Sequence, residues 1–146
     1  MTDEIARRAV SAGGHAIAYQ AAGPPDGPPV VLLHGLASDS DTWDRALGAL
    51  AGHGLRVLAV DLLGHGRSDK PVSGYRLDDF ADSLAAVLDA MDLPAATLCG
   101  HSLGGAIAVH FGARHPGRVQ RLVLVASGGL GREVHPVLRA ASLPVA

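Results

Sequence analysis

The 146-residue chain has a single lysine, Lys70, and a single cysteine, Cys99. With so little lysine, scattered arginines, a formal net charge of −2 and a pI near 6.4, there is no basic footprint for a phosphate backbone or an anionic membrane surface. Nucleic acid and membranes are therefore not expected partners. One cysteine cannot close an internal disulfide. No stretch approaches the roughly 18 uninterrupted apolar residues of a membrane span. The start, Met1-Thr2-Asp3-Glu4-Ile5-Ala6-Arg7-Arg8, has no apolar run of the secretory type, so the expected compartment is the cytoplasm. Eight histidines are present, but neither an H-E-x-x-H pattern nor a Cys/His pairing, and no metal is expected. Repeats and low-complexity tracts are missing too. What remains is 48% hydrophobic and 18% charged, enough apolar side chain for the core of one domain spanning residues 1–146.

Short apolar, β-branched runs alternate with longer helical patterns across Gly/Pro-rich turns, which predicts an α/β fold with a largely parallel sheet and helices on both faces. Segments 6–10 and 15–20 flank Gly13-Gly14 and read as an antiparallel hairpin. The run Gly23-Pro24-Pro25-Asp26-Gly27-Pro28-Pro29 reads as a loop before a continuous apolar strand at 30–33. A helix is predicted at 42–51, with Asp41 as N-cap and Trp43, Leu47 and Leu50 on one face. Trp43 is read there as core. A strand follows at 56–60. Leu77, Phe80, Ala81, Leu84, Leu88 and Met91 recur at helical spacing, with Asp78 and Asp79 complementing the dipole of the first turn. Strands at 95–99 and 119–126 bracket a helix at 103–115, stopped by Pro116. Cys99, in an apolar strand, reads as a small core residue.

The chemistry concentrates at Gly100-His101-Ser102-Leu103-Gly104-Gly105, where a strand ends and a helix begins. That junction forces a tight turn with Ser102 at its apex. Gly100 and Gly104 remove the side chains that would collide as strand and helix converge, so the hydroxyl is expected to project above the sheet. The helix N-terminus behind it offers unpaired N–H groups suited to an oxyanion. The competing reading is a serine that merely caps its helix. Two further motifs favour the nucleophile. His34-Gly35-Leu36 follows the strand at 30–33, and Gly35 lets the backbone turn so that the Leu36 N–H faces the same oxygen as the Leu103 N–H. His34 could be a general base, but a histidine at a strand end beside such a hole is read as orienting the loop. Asp61-Leu62-Leu63-Gly64-His65-Gly66-Arg67-Ser68-Asp69 lacks both the third glycine of a dinucleotide fingerprint and a Walker A lysine. It reads instead as a shaping loop, with Asp61 and Arg67 satisfying backbone groups.

These three motifs, in this order, resemble the α/β-hydrolase fold superfamily over nearly the whole chain. The resemblance implies that the strands at 30–33, 56–60, 95–99 and 119–126 correspond to the third to sixth of that fold. It further implies Ser102 as nucleophile, with the Leu36 and Leu103 amides as oxyanion donors and His34, Gly35, Gly100, His101, Gly104 and Asp61 in support. The substrate would be a small molecule with an ester-like or activated carbonyl, and no cofactor is implied. Ser127-Gly128-Gly129-Leu130-Gly131 is similar to a run in carbon–carbon bond hydrolases acting on ring-cleavage products. A serine at 102 argues against relatives with aspartate there, the epoxide hydrolases and haloalkane dehalogenases.

The superfamily places its acid and then its base histidine after later strands, in the order Ser, Asp, His. Downstream of Ser102 only His110, His115 and His135 occur, the first two within or at the end of the helix, and Glu133 is the only acid in the tail. Nothing orients Glu133 and His135 as a dyad. The expectation is an N-terminal part of a hydrolase of roughly 250 residues or more, with 131–146 beginning a cap region. The strand from Leu122 to Ala126 would then be an open edge inviting self-association or a partner chain, and a non-catalytic remnant held by that edge is the alternative.

Overall fold

The computed structural model describes residues 5–128. Gly129 to Gly131, Glu133, His135 and the expected cap region lie outside the described residues. Among the described residues six strands form one sheet in the order β1-β2-β4-β3-β5-β6. β1 (Ala6–Ala12) and β2 (His15–Ala22) make the antiparallel hairpin. Its turn residues Gly13 and Gly14 have φ of 60° and 83°, the left-handed pair that matches strand twist in a two-residue loop. β2 is also antiparallel to β4 (Arg56–Val60). From β4 onward the sheet is parallel through β3 (Pro29–Leu33), β5 (Ala96–His101) and β6 (Val119–Val125).

Among the described residues three α-helices pack on this sheet: α1 (Asp44–Ala51), α2 (Leu77–Ala90) and α3 (Leu103–Arg114). In β3 the side chains alternate between two cores, as the two-residue strand period requires. Val31 and Leu33 join Leu58, Val60 and Leu98 under Phe80, Leu84 and Leu88 of α2 and Ile107 and Phe111 of α3. Val30 and Leu32 join Val57 and Ala59 under Leu47 of α1. Burial on both faces explains why these strands read as continuous apolar runs. Each fully buried leucine or phenylalanine contributes about 1.5–3 kcal/mol relative to exposure.

Two sequence expectations need correction. The segment before α1 is a 3-10 turn, Ser40–Trp43, and its N-cap is Asp39 rather than Asp41. The Asp39 carboxylate accepts the Asp41 N–H at 3.0 Å, while the Asp41 carboxylate is drawn across the sheet to Arg7 (2.7 Å) and the Gln20 amide (3.2 Å). Trp43 consequently belongs to the 3-10 turn, half-buried against the α1-side core. The second concerns Arg67. It contributes its backbone N–H to the shaping loop, and its guanidinium lies 3.8 Å from Asp41 on the exposed surface.

Among the described residues, β6 forms one edge of the sheet, and α1 is the only helix on its face, reaching β2 and β4 but not β6. Leu122, Val123 and Val125 are 42%, 47% and 43% exposed, so both faces of β6 carry solvent-facing apolar side chains.

Candidate active site

Ser102 stands between the last residue of β5 and the first of α3, with φ 53° and ψ −115°. This is a conformation that a non-glycine residue occupies only where its surroundings over-determine it. Here they do. The Ser102 N–H donates to the Val125 carbonyl (3.1 Å), and the Ser102 carbonyl accepts from the N–H groups of Gly105 (3.0 Å), Ala106 (3.2 Å) and Gly128 (3.0 Å). The glycines of the motif are required by close approach. A Cβ on Gly100 would collide with the Gly104 carbonyl, and one on Gly104 with the Leu33 and His34 carbonyls. The Ser102 side chain makes no capping hydrogen bond to α3.

Beside it lies the segment that follows β3. A Cβ on Gly35 would sit 3.3 Å from the Ser102 Cβ and 3.2 Å from His101 Nδ1, so the bare backbone of Gly35 rests against the apex residue. The Ser38 N–H bonds to the Gly35 carbonyl (3.2 Å), closing a turn in which Ala37 has φ 56°. Leu36 is the exposed residue of that turn, at 56%. Among the described residues, neither the Leu36 N–H nor the Leu103 N–H has a hydrogen-bond acceptor. The same is true of the Ser102 hydroxyl. The site thus combines a strained serine with two unused amides on the segments that flank it.

His34 is fully buried, and both ring nitrogens are occupied. Nδ1 donates to the Gly35 carbonyl (2.7 Å) and Nε2 accepts the Leu62 N–H (3.0 Å), an arrangement possible only for the neutral ring. Burial pushes the ring below the ordinary histidine range, aided by the His65 ring 5.1 Å away and opposed by the Gly35 carbonyl. The ring is therefore a brace, with no nitrogen left for Ser102. Asp61, 1% exposed, accepts the Ser40 N–H on Oδ1 (2.7 Å) and the Arg67 N–H on Oδ2 (2.9 Å). Burial alone would raise its pKa. The Arg67 and Ser40 N–H groups and the Ser40 hydroxyl outweigh that and hold the carboxyl below its usual range.

Three members of this network were not singled out from the sequence. The Ser68 hydroxyl donates to the Asp61 carbonyl (2.6 Å) and accepts the Ala18 N–H (2.9 Å). Ser40 accepts from Gln20 Nε2 (3.2 Å), which also reaches Asp44 (3.0 Å). The one available signal was Gln20 itself, a polar residue in a strand whose neighbours are buried. Two histidines downstream of Ser102 lie elsewhere: His110 pairs with Asp78 (2.7 Å) between α3 and α2, and His115 packs on Phe111 with ring centroids 4.9 Å apart. Cys99 is half-buried beside the α1-side core, and burial pushes its thiol up.

The family described as alpha/beta hydrolase fold matches residues 28–145. The chain belongs to the α/β-hydrolase fold family. A non-heme chloroperoxidase of Streptomyces lividans is 44% identical over 115 residues, 78% of this chain and 42% of that protein. An uncharacterized Mycobacterium tuberculosis protein is 41% identical over 132 residues, 90% of this chain and 38% of that protein. Among solved structures, the 2-hydroxy-6-oxo-6-phenylhexa-2,4-dienoate hydrolase of a Rhodococcus species superposes with a TM-score of 0.85 at 26% identity, covering 92% of this chain and 50% of that one. This α/β hydrolase chain therefore spans half or less of the length of these relatives. No helix among its described residues is long and apolar enough to cross a membrane.

Proposed function

We propose that this α/β hydrolase chain carries the nucleophile and oxyanion half of a serine hydrolase acting on ester-like or activated carbonyl compounds. The observation that carries the reading is the backbone of Ser102, held at φ 53° at the head of α3 with a side chain that caps nothing. A serine kept for capping would adopt extended backbone and bond to the first-turn N–H groups. Strain maintained without that return is the mark of a residue positioned for chemistry.

In the proposed reaction, Ser102 Oγ attacks the carbonyl carbon and the carbonyl π electrons move to oxygen. The N–H groups of Leu36 and Leu103 receive the resulting oxyanion. Collapse expels the leaving group and leaves an acyl group on Oγ, which water then removes as the acid. The proton leaving Oγ needs an acceptor. His34 is excluded because both its nitrogens are engaged, while His110 on α3 and His115 just past its end lie away from the apex. We place the base and its acid partner C-terminal to the described residues, as the Ser, Asp, His order of the family implies.

The test is chemical labelling with an alkyl fluorophosphonate. Oγ forms a bond to phosphorus, the P–F bond breaks, fluoride leaves and the hydroxyl proton passes to buffer base. Adduct mapping by mass spectrometry should find Ser102 modified about ten-fold or more faster than any other serine, since a single oxyanion donor is worth on the order of 100-fold in catalysis. Ser102→Ala should abolish the adduct. Indiscriminate labelling, or labelling unchanged by Ser102→Ala, overturns the reading.

A second reading, non-catalytic association through β6, is favoured by one observation, the exposure of Leu122, Val123 and Val125 on a strand whose outer edge is unpaired among the described residues. It predicts concentration-dependent assembly without any selective Ser102 adduct.

A further inference from the structure

The turn that carries the Leu36 amide is short and exposed, yet the unused N–H must be held in one place to receive charge. Both ends of the 34–40 segment are tied to the loop that follows β4, and by different chemistry. At the near end, the His34 ring links the Gly35 carbonyl to the Leu62 N–H. At the far end, the Asp61 carboxylate joins the Ser40 N–H to the Arg67 N–H. The loop after β4 is in turn fastened to β2 through the Ser68 hydroxyl and through the Asp61 N–H on the Ala18 carbonyl (2.9 Å). The carboxylate is packed in place as well, since a Cβ on Gly66, which has φ 52°, would fall on it. Leu103 is held differently, at the head of α3 and in the peptide whose carbonyl, that of Ser102, accepts from Gly105, Ala106 and Gly128.

We propose that Asp61 is a positioning residue for the Leu36 amide, acting through Ser40, so that one of the two oxyanion donors is set by a carboxylate that never touches substrate. This rests on the reading of Ser102, Leu36 and Leu103 given above. An aspartate suits the task because two N–H donors arrive from different segments and a carboxylate is acceptor-only on both oxygens. Asparagine is nearly isosteric but presents an NH2 to one of them.

The experiment compares the unsubstituted 146-residue chain with Asp61→Asn by amide NMR, free and after reaction with the fluorophosphonate. In the unsubstituted adduct, the Leu36 and Leu103 amide protons should both move downfield as they bond to the phosphonyl oxygen. In Asp61→Asn, the Leu103 proton should still move, the Leu36 proton should not, and labelling of Ser102 should slow on the order of ten-fold. Should Asp61→Asn fail to fold, Gly66→Ala displaces the carboxylate without removing it and should give the same selective loss at Leu36. Downfield movement of both protons in a folded variant overturns the positioning role. Failure of both protons to move in the unsubstituted adduct, or failure to form an adduct, instead overturns the oxyanion reading and the proposal with it.

Discussion

The two flanks of the Ser102 apex are built from the same parallel sheet yet finished differently. On the β3–β4 flank, the five fully buried polar side chains are cross-linked, and the half-buried Trp43 keeps a buried Nε1 with no partner among the described residues. Gln20, His34, Ser40, Asp61 and Ser68 are each at most 3% exposed, and each has its hydrogen-bond partners. On the β6 flank, apolar side chains face solvent and one backbone edge is unpaired among the described residues. A buried polar group left unsatisfied costs about 1–3 kcal/mol, whereas an exposed valine costs little by itself. The first flank is thus closed by bonds among these residues, while the second leaves apolar side chains facing solvent.

The largest effect should come from the sealed side. Phe111→Ala, at a fully buried position on the inner face of α3, should cost about 3–5 kcal/mol in a urea titration. A cost below about 1 kcal/mol would mean that the α2/α3 core is loosely packed. Next, Gly104→Ala drives a methyl into the Leu33 and His34 carbonyls and should cost about 3 kcal/mol and slow Ser102 labelling, because strand and helix must separate. An unaffected labelling rate would show that the apex tolerates a wider turn.

Acid should weaken the β3–β4 flank selectively. Because burial lowers the pKa of His34, the unfolded chain binds a proton more readily than the folded one. The stability is therefore fully present above about pH 6.5, the ordinary histidine value, and declines as pH falls below it. The lowered Asp61 pKa acts the same way below the usual carboxylate range, near pH 3.8. Urea midpoints from pH 8 to 5 should drop in the unsubstituted chain and drop less steeply in His34→Gln. Equal slopes would remove His34 as the origin. The smallest effect on stability belongs to the open side. Val123→Lys, at a 47%-exposed position, should shift the urea midpoint by less than about 0.5 kcal/mol yet reduce any self-association seen by sedimentation. Loss of folding instead would place Val123 in a core.

Legibility followed the range of the interaction. Strands β3 and β4, the hairpin turn at Gly13-Gly14 and helices α2 and α3 were readable because apolar period, glycine pairs and Pro116 act within a few residues. The 3-10 turn at Ser40–Trp43 was not, since Asp39 and Asp41 both place a carboxylate near its start. The choice falls to Asp39 only because Arg7 and Gln20, from β1 and β2, engage Asp41 and Gln20 also reaches Asp44. At the site, Ser102, Gly35 and Gly104 were readable from their motifs. The tie between Ser40 and Asp61, 21 residues apart, was not.

By itself the amino-acid order determined where the chain must turn tightly and which residue occupies the apex, because glycine spacing and apolar period limit the backbone locally. Only the tertiary structure decided that β4 lies between β2 and β3, that His34 is saturated as a brace, and that the amides of Leu36 and Leu103 have no acceptor among the described residues. Those facts depend on which distant N–H and carbonyl groups meet once the sheet has assembled, and hydrogen-bond partners over such separations leave no periodic trace in the sequence.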